Sequence, residues 1–278
     1  MPESLALLGA GWPWLICSVF VAIITSNLAW LFRNPHSNQL GQSIANLRAK
    51  RFTPWIVEIL RLLYFAGLPF AALFWGHDAI IGRVMGLQPV AFPLVGSEST
   101  TSQIPALWAD WTRDGGWAIA IAVAAWIVLA LGWGSYRRAL QTDDLTESST
   151  PSPISGWALL RDAAYYEIHW AFYRSIAVVA FGAYSGTWIG LALTAIEAAL
   201  CPAWRQSFLR REEAPMSLAH AMLSFSSGLL YLLTENLWLA IAMHWLVIWG
   251  FSQIIQLSAK WMVQTTQTEG TQQEIGTP

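Results

Sequence analysis

The chain has 278 residues, of which 55% are hydrophobic and only 12% are charged. A soluble globular domain carries about twice that charged fraction, so the composition indicates an integral membrane protein. The net charge of −2 provides no basic surface for nucleic acid, and Cys17 and Cys201 show neither CxxC spacing nor a disulfide framework.

Seven stretches of the chain are long and apolar enough to cross about 30 Å of hydrocarbon as helices. They are residues 8–32, 54–76, 116–136, 158–181, 186–204, 215–233 and 237–259. The first lacks a basic start and a small-residue cleavage site, so we expect a membrane anchor rather than a signal peptide. The expected fold is an all-α, polytopic membrane helix bundle with about seven transmembrane helices.

Lysine and arginine residues predict the orientation of this bundle. Most of them lie on alternate loops or just inside the neighbouring spans, and only Arg83 and Arg113 fall on the opposite side. Because basic loops stay in the cytoplasm, we expect the N-terminus outside and the C-terminus in the cytoplasm. The pattern is typical of a multi-pass protein of a bacterial-type inner (cell) membrane.

The polar segments divide the chain into four regions. Residues 1–140 hold three spans and a Gly-, Pro- and Ser-rich external loop over 77–115, and residues 141–157 form an acidic cytoplasmic linker. Residues 158–259 form a core of four membrane helices. The Thr- and Gln-rich tail, residues 260–278, is polar enough that we expect it to be disordered.

Ionisable residues are concentrated inside the apolar spans of the second half. An ionised group near the bilayer centre costs at least ~2.5–3.5 kcal/mol on insertion scales, so each of them requires a partner or a function. Glu167 and Arg174 are two helical turns apart on one face, and we expect each to have a partner on another helix. One interpretation is purely structural, with pairs across helices that fix their packing. The residues concerned are Glu167, His169, Arg174, Glu197, His220 and His244.

Three segments resemble the CPBP family of CAAX-processing and bacteriocin-processing intramembrane proteases, also called the ABI family. In "FSSGLLYLLTENLWLAIAMHWLVIWG" (225–250), six residues match the last motif region in order and spacing: Gly228, Tyr231, Thr234, Leu237, Trp238 and His244. "WAFYRS" (170–175) resembles the EExxxR motif, with Arg174 as its arginine, and "RVMGLQP" (83–89) is similar to a short segment that precedes the core. The resemblance implies a membrane endopeptidase in which a glutamate activates water, directly or with a metal, and histidines and an asparagine complete the site.

The chain departs from the family pattern at the positions that carry the chemistry. His169 and Trp170 stand where the family has two glutamates. Glu167 lies two and three residues upstream of them, a rotation of about 200° or 300°, so it cannot simply replace both. Trp204 stands at the place of the second-motif histidine, with His220 as an alternative, and Ile248 stands where an asparagine or aspartate would follow His244.

We therefore expect a pseudoprotease that acts as a scaffold or subunit in a membrane complex, with the lipid bilayer and other membrane proteins as its partners. Loss of one catalytic group typically lowers the rate by about 10²–10³. The alternative is an active metal-dependent endopeptidase with Glu167, Arg174 and His244 as catalytic residues. Zinc would belong to that alternative, held by His169, His220, His244 and Glu197. A second alternative is a tetrapyrrole-binding subunit with His244 or His169 as axial ligand.

Overall fold

A computed structural model describes the backbone of residues 2–33, 42–43, 46–47, 49–75, 82, 84–88, 104–142, 155–211 and 213–275. Within them, side chains are described for residues 11–27, 42–43, 46–47, 49–75, 82, 84–88, 108–139, 155–211 and 213–257. The elements in these ranges are all helical: α1 (Pro2–Arg33), α2 (Thr53–Leu62), a π-helix (Leu63–Gly67), α3 (Leu68–Trp75), α4 (Ile104–Thr142), α5 (Gly156–Phe181), α6 (Ala183–Leu200), α7 (Pro202–Leu209), α8 (Ala214–Thr234) and α9 (Leu237–Ile275).

Several of these helices are long and apolar enough to cross a membrane. Four stretches in the described part of the chain meet this condition: Thr53–Trp75, Trp108–Ala139, Ala214–Thr234 and Leu237–Leu257. A fifth is added if α6 and α7 form one span. The prediction of an all-α chain with several helices able to span a membrane is therefore confirmed.

The fifth predicted span, 186–204, is not one continuous helix. α6 ends at Leu200, Cys201 is extended, and α7 starts at Pro202 at an angle of 83° to α6. Proline disfavours a helical conformation in the residue before it and lacks an amide hydrogen, which accounts for a break at this position. Pro202 is thus a helix breaker inside the predicted span.

Helix boundaries also differ from the prediction where the sequence is polar. α4 begins at Ile104, inside the predicted external loop 77–115, and its first turns carry the ion pair Arg113–Asp110 at 3.4 Å. α9 continues to Ile275, into the tail that was expected to be disordered. Polar residues such as Gln and Glu have helix propensities close to that of Leu, so low apolarity does not end a helix. Most of the loop and of the linker 141–157 lies outside the described residues.

Helix α5 lies at the centre of the bundle, between two apolar cores. One core joins it to α4, α8 and α9 and includes Trp170, Leu223 and Phe251. The other joins it to α1, α3 and Met85 and includes Phe172. Because the middle of α5 is buried on all sides, its polar residues face other helices rather than lipid.

Helix α6 packs against α5 with its backbone. A Cβ atom added to Gly186 would lie 2.4 Å from Val178 Cα, and one added to Gly190 would lie 2.6 Å from Arg174 Cα. Glycines spaced four residues apart allow two membrane helices to approach this closely. The Gly186-x-x-x-Gly190 pair therefore sets the position of α6 along α5.

The segment Val84–Gln88 docks on the turn between α8 and α9. Gly86 has a φ of +83°, and its carbonyl accepts a hydrogen bond from Leu237 N at 2.8 Å. The Tyr231 hydroxyl donates to Val84 O at 2.8 Å, and Trp238 Nε1 donates to Gln88 O at 3.0 Å. The segment Val84–Gln88 thus contacts the stretch 225–250, although the two are far apart in the sequence.

Candidate functional site

Glu167 of α5 and His244 of α9 form a buried hydrogen-bonded pair. The His244 Nδ1–H donates to Glu167 Oε1 at 2.9 Å, and both residues are 0% exposed. The second carboxylate oxygen accepts a hydrogen bond from the Ser227 hydroxyl of α8. The carboxylate therefore joins three helices through groups that the protein itself supplies.

Arg174 is connected to the same carboxylate through Ser227. Its Nη1 donates to Ser227 Oγ at 3.4 Å, and its guanidinium lies 4.2 Å from the centre of the Tyr231 ring. A cation over an aromatic face and near a carboxylate is stabilised where water is excluded. We call Glu167, Arg174, Ser227, Tyr231 and His244 the Glu167 cluster.

Aromatic rings surround the imidazole of His244. Trp170 stacks on it with ring centres 5.3 Å apart, Tyr166 lies at 6.1 Å, and the His220 ring approaches edge-on at 5.7 Å. The His244 Nε2 atom is buried and has no hydrogen-bond partner among the described residues. The ring is thus oriented by Glu167 and enclosed by large side chains.

A second polar cluster lies on another side of α5. His169 Nε2–H donates to Glu197 Oε2 of α6 at 2.9 Å, and the Tyr64 hydroxyl donates to Glu197 Oε1 at 2.9 Å. We call these three residues the Glu197 cluster. Tyr64 lies in the π-helix, a local widening that occurs frequently at functional sites. His169 Nδ1 is buried without a hydrogen-bond partner among the residues whose side chains are described.

The remaining predicted positions make their contacts with other groups than Glu167. Trp204 is on α7 and packs edge-on against Phe208 at 4.4 Å. Ile248 is buried in the apolar core of α9. His220 is near His244, but its Nδ1–H donates to Met216 O of its own helix at 2.8 Å.

The predicted zinc ligands are not brought together. His169 and Glu197 belong to the Glu197 cluster, whereas His244 belongs to the Glu167 cluster and His220 lies beside it. Across the part of the chain that the structure describes, no group of three or more His, Cys, Asp or Glu side chains could hold a metal ion. The residues present therefore do not fit a zinc site, and no chemical step through zinc follows from them.

Helical geometry explains why Glu167 and Trp170 both reach His244. A rotation of about 300° equals about 60° in the other direction, so residues three apart share one helix face. Glu167 thus lies on the same face of α5 as Trp170, one turn earlier.

Sequence reasoning missed Ser227, Tyr64 and the glycine pair of α6. Ser227 follows Ser226 in an apolar helix, and a hydroxyl beside buried charges could have been noted as a hydrogen-bond donor. The Gly186-x-x-x-Gly190 spacing was visible as a packing motif. Nothing in the local sequence of Tyr64 indicates its contact with Glu197, because those residues are 133 positions apart.

Comparison of the chain with protein-family models, with curated proteins and with solved structures finds no match in any of the three. The geometry of the Glu167 cluster offers an imidazole oriented by a carboxylate, with one free nitrogen. Such a pair can accept a proton, but a reaction also requires a substrate that reaches it.

Proposed function

We propose that the chain is a CPBP-like membrane protein without protease activity, which acts as a scaffold or subunit in a complex of membrane proteins. The observation that carries this proposal is the closed Glu167–His244 pair, in which both side chains are 0% exposed. A hydrolytic site needs its base to face water and substrate in a shared cavity. Here the carboxylate is engaged by Ser227 and His244, and the indole of Trp170 covers the imidazole.

The contacts of the family-like segments support the resemblance. Tyr231 and Trp238 hold the backbone of Val84–Gln88, and Gln88 Nε2 donates to Thr234 O at 2.9 Å. These motif residues thus hold two segments of the chain together, a role that does not require the catalytic residues. A scaffold can therefore keep the architecture of a protease while the indole of Trp170 covers the imidazole of His244.

We further propose seven spans, with the N-terminus outside and the C-terminus in the cytoplasm of a bacterial-type cell membrane. α1 and α5 complete the set. α5 is long enough to cross the membrane, but its four charged residues lower its mean hydropathy. Arg61 of α2 pairs with Asp162 of α5 at 3.1 Å, and Arg161 pairs with Glu58 at 3.2 Å. These pairs join the N-terminal half of the stretch Thr53–Trp75 to the second turn of α5, as expected if both helices enter from the cytoplasm.

Proteolysis by the purified protein tests the proposal. The wild-type chain in lipid nanodiscs is incubated with a panel of fluorogenic transmembrane and prenylated peptides, beside Glu167→Gln and His244→Ala. We expect no cleavage above that of empty nanodiscs for any of the three. Cleavage by the wild type that either substitution abolishes would overturn the proposal. Native mass spectrometry of the complex extracted from its own membrane then asks whether the chain has a partner at fixed stoichiometry.

An active endopeptidase is the second candidate, and the free Nε2 of His244 favours it. An imidazole whose other nitrogen is held by a carboxylate resembles a general base that awaits its substrate. This candidate requires Trp170 to move when substrate binds. Tightly bound zinc on purification, together with the cleavage described above, would support it.

Tetrapyrrole binding is the third candidate. His244 Nε2 and His169 Nδ1 have no hydrogen-bond partner among the described residues, so either could be the axial ligand of the metal in a tetrapyrrole. However, Tyr64, Phe65 and Tyr173 pack within 4.6–5.4 Å of the His169 ring, where a flat macrocycle would have to fit. An absorption spectrum of the purified protein decides the question, because bound tetrapyrrole gives strong visible bands.

A further inference from the structure

Arg174 has two buried donors that the protein does not use. The residue is only 4% exposed, and its Nε and Nη2 atoms have no hydrogen-bond partner in the described part of the chain. Nη1 alone contacts Ser227 Oγ. An unpaired donor on a buried cation is costly, so something other than a side chain is expected to meet these two atoms.

A small cavity adjoins Arg174, between α5, α6 and α8. Its volume is about 10 Å³, which is close to the space that one water molecule requires. Three hydroxyl-bearing residues from the two other helices contribute to its wall, namely Thr187, Thr194 and Ser224. Trp170 and Gly228 also line it. The cavity therefore offers polar partners, and its volume lies at the lower end of the range that a single water needs.

The hydroxyl groups determine what kind of ligand fits. Thr187 donates to Ala183 O at 2.7 Å, Thr194 to Gly190 O at 3.1 Å, and Ser224 to Ala221 O at 2.8 Å. Because their protons are engaged with helix carbonyls, their oxygens are left as acceptors. The ligand must accept from Arg174 and donate to a hydroxyl oxygen. Water does both, whereas an anion can only accept.

We infer that the cavity beside Arg174 is a binding site for one water molecule, which accepts hydrogen bonds from Arg174 and donates to the hydroxyls of α6 and α8. The site does not depend on the proposed function. Trp170 lines the cavity and also stacks on His244, so its indole separates this water from the Glu167–His244 pair. The bound water and the imidazole of His244 thus lie on opposite sides of the Trp170 indole.

Gly228→Ala tests the inference by the sign of a stability change. Gly228 and Thr187 both line the cavity, and the added Cβ would lie 3.4 Å from Thr187 Cγ2, an ordinary contact. Alanine in a helix interior is intrinsically more stable than glycine, so filling an empty space should raise Tm. Displacing a bound water would leave Arg174 unpaired and lower Tm, and we expect a decrease of ~2–4 °C. Gly132→Ala in α4, whose Cβ meets nothing within 4 Å, is the control and should raise Tm.

Radiolytic labelling supplies a second measurement that needs no stable variant. X-ray pulses generate hydroxyl radicals from bound water, and these modify adjacent side chains that bulk solvent does not reach. We expect modification of Trp170 in the wild-type protein and its loss in Gly228→Ala. The inference is overturned if Gly228→Ala raises Tm as much as Gly132→Ala, or if Trp170 in the wild type remains unmodified.

Discussion

Three ionisable side chains within eight residues of α5 all have partners on other elements, and two of them, Glu167 and Arg174, share Ser227. Glu167 contacts α8 and α9, His169 contacts α6 and the π-helix, and Arg174 contacts α8. Residues two apart on a helix point in directions about 200° apart, so Glu167 and His169 cannot share one site. The run "EIHWAFYR" is therefore two polar clusters joined by a helix.

Glu167→Ala should strongly destabilise the protein. Removing one partner of a buried pair leaves the other groups unsatisfied, which costs on the order of 3–5 kcal/mol. We expect the free energy of unfolding to fall by this amount when wild type and variant are measured in the same detergent. Glu213→Ala is the control, because its pair with Arg210 is about half exposed and contributes no more than about 1 kcal/mol. Equal effects of the two substitutions would show that the Glu167 cluster contributes little to the fold.

Trp170→Ala should expose His244 to chemical modification. Trp170 covers the imidazole of His244 and lines the cavity at Arg174. Removal of the indole should therefore connect the cavity to the imidazole. We expect diethylpyrocarbonate to modify His244 in this variant and not in the wild type, as detected by mass spectrometry. Phe172→Ala is the matched control, since Phe172 is also buried on α5 but faces the other core. Both truncations cost about 3–5 kcal/mol, so modification in both would indicate general loosening.

At the scale of elements, two local features fix how α6 lies in the bundle. The glycine pair Gly186 and Gly190 brings the backbone of α6 onto α5. Pro202 ends α6 at Leu200 and starts α7 in a new direction. Glu197 is thereby placed one turn before the break, where it meets His169 and Tyr64. Both features were present in the sequence, but only the proline break could have been assigned without knowing which helix packs against α6.

Gly190→Ala should separate α6 from α5. The added Cβ would lie 2.6 Å from Arg174 Cα, so the helices must move apart. Overpacking of this kind costs about 1–3 kcal/mol, which exceeds the gain of about 1 kcal/mol from helix propensity. Unfolding in detergent measures the net loss. Gly134→Ala, with nothing within 4 Å of its Cβ, should be neutral or stabilising; if it behaves like Gly190→Ala, close packing is not the cause.

For the whole molecule, cysteine accessibility tests the proposed orientation. In a background with Cys17→Ser and Cys201→Ser, Trp108→Cys places one thiol in the first turns of α4 and Ser155→Cys places one just before α5, so that α4 lies between them in the sequence. Both positions are exposed. We expect a membrane-impermeant maleimide to label Trp108→Cys in intact cells and Ser155→Cys only after permeabilisation. The reverse pattern would invert the orientation, and labelling of both from outside would mean that α4 does not cross.

Predictability differed between the apolar and the polar parts of the chain. The helices correspond to the apolar stretches because a hydrocarbon environment requires satisfied backbone groups, which a helix provides locally. Where polar residues continue the helix, as after Ile104 and towards Ile275, the helix extends beyond the apolar stretch that hydropathy identified. Glu167, Arg174 and His244 were expected to need partners. Which partners they have depends on how each helix is rotated about its axis and how deep it lies in the membrane.

The sequence by itself determined that this is a helical membrane protein with unusual charges buried in its second half. Apolar length and the cost of intramembrane charge are local quantities that need no knowledge of neighbours. Only the tertiary structure decided that Glu167 pairs with His244, that Glu197 belongs to His169 and Tyr64, and that Trp170 stands between an imidazole and a cavity. Those relations arise from the rotation and close packing of separate helices, which the order of residues along one helix does not contain.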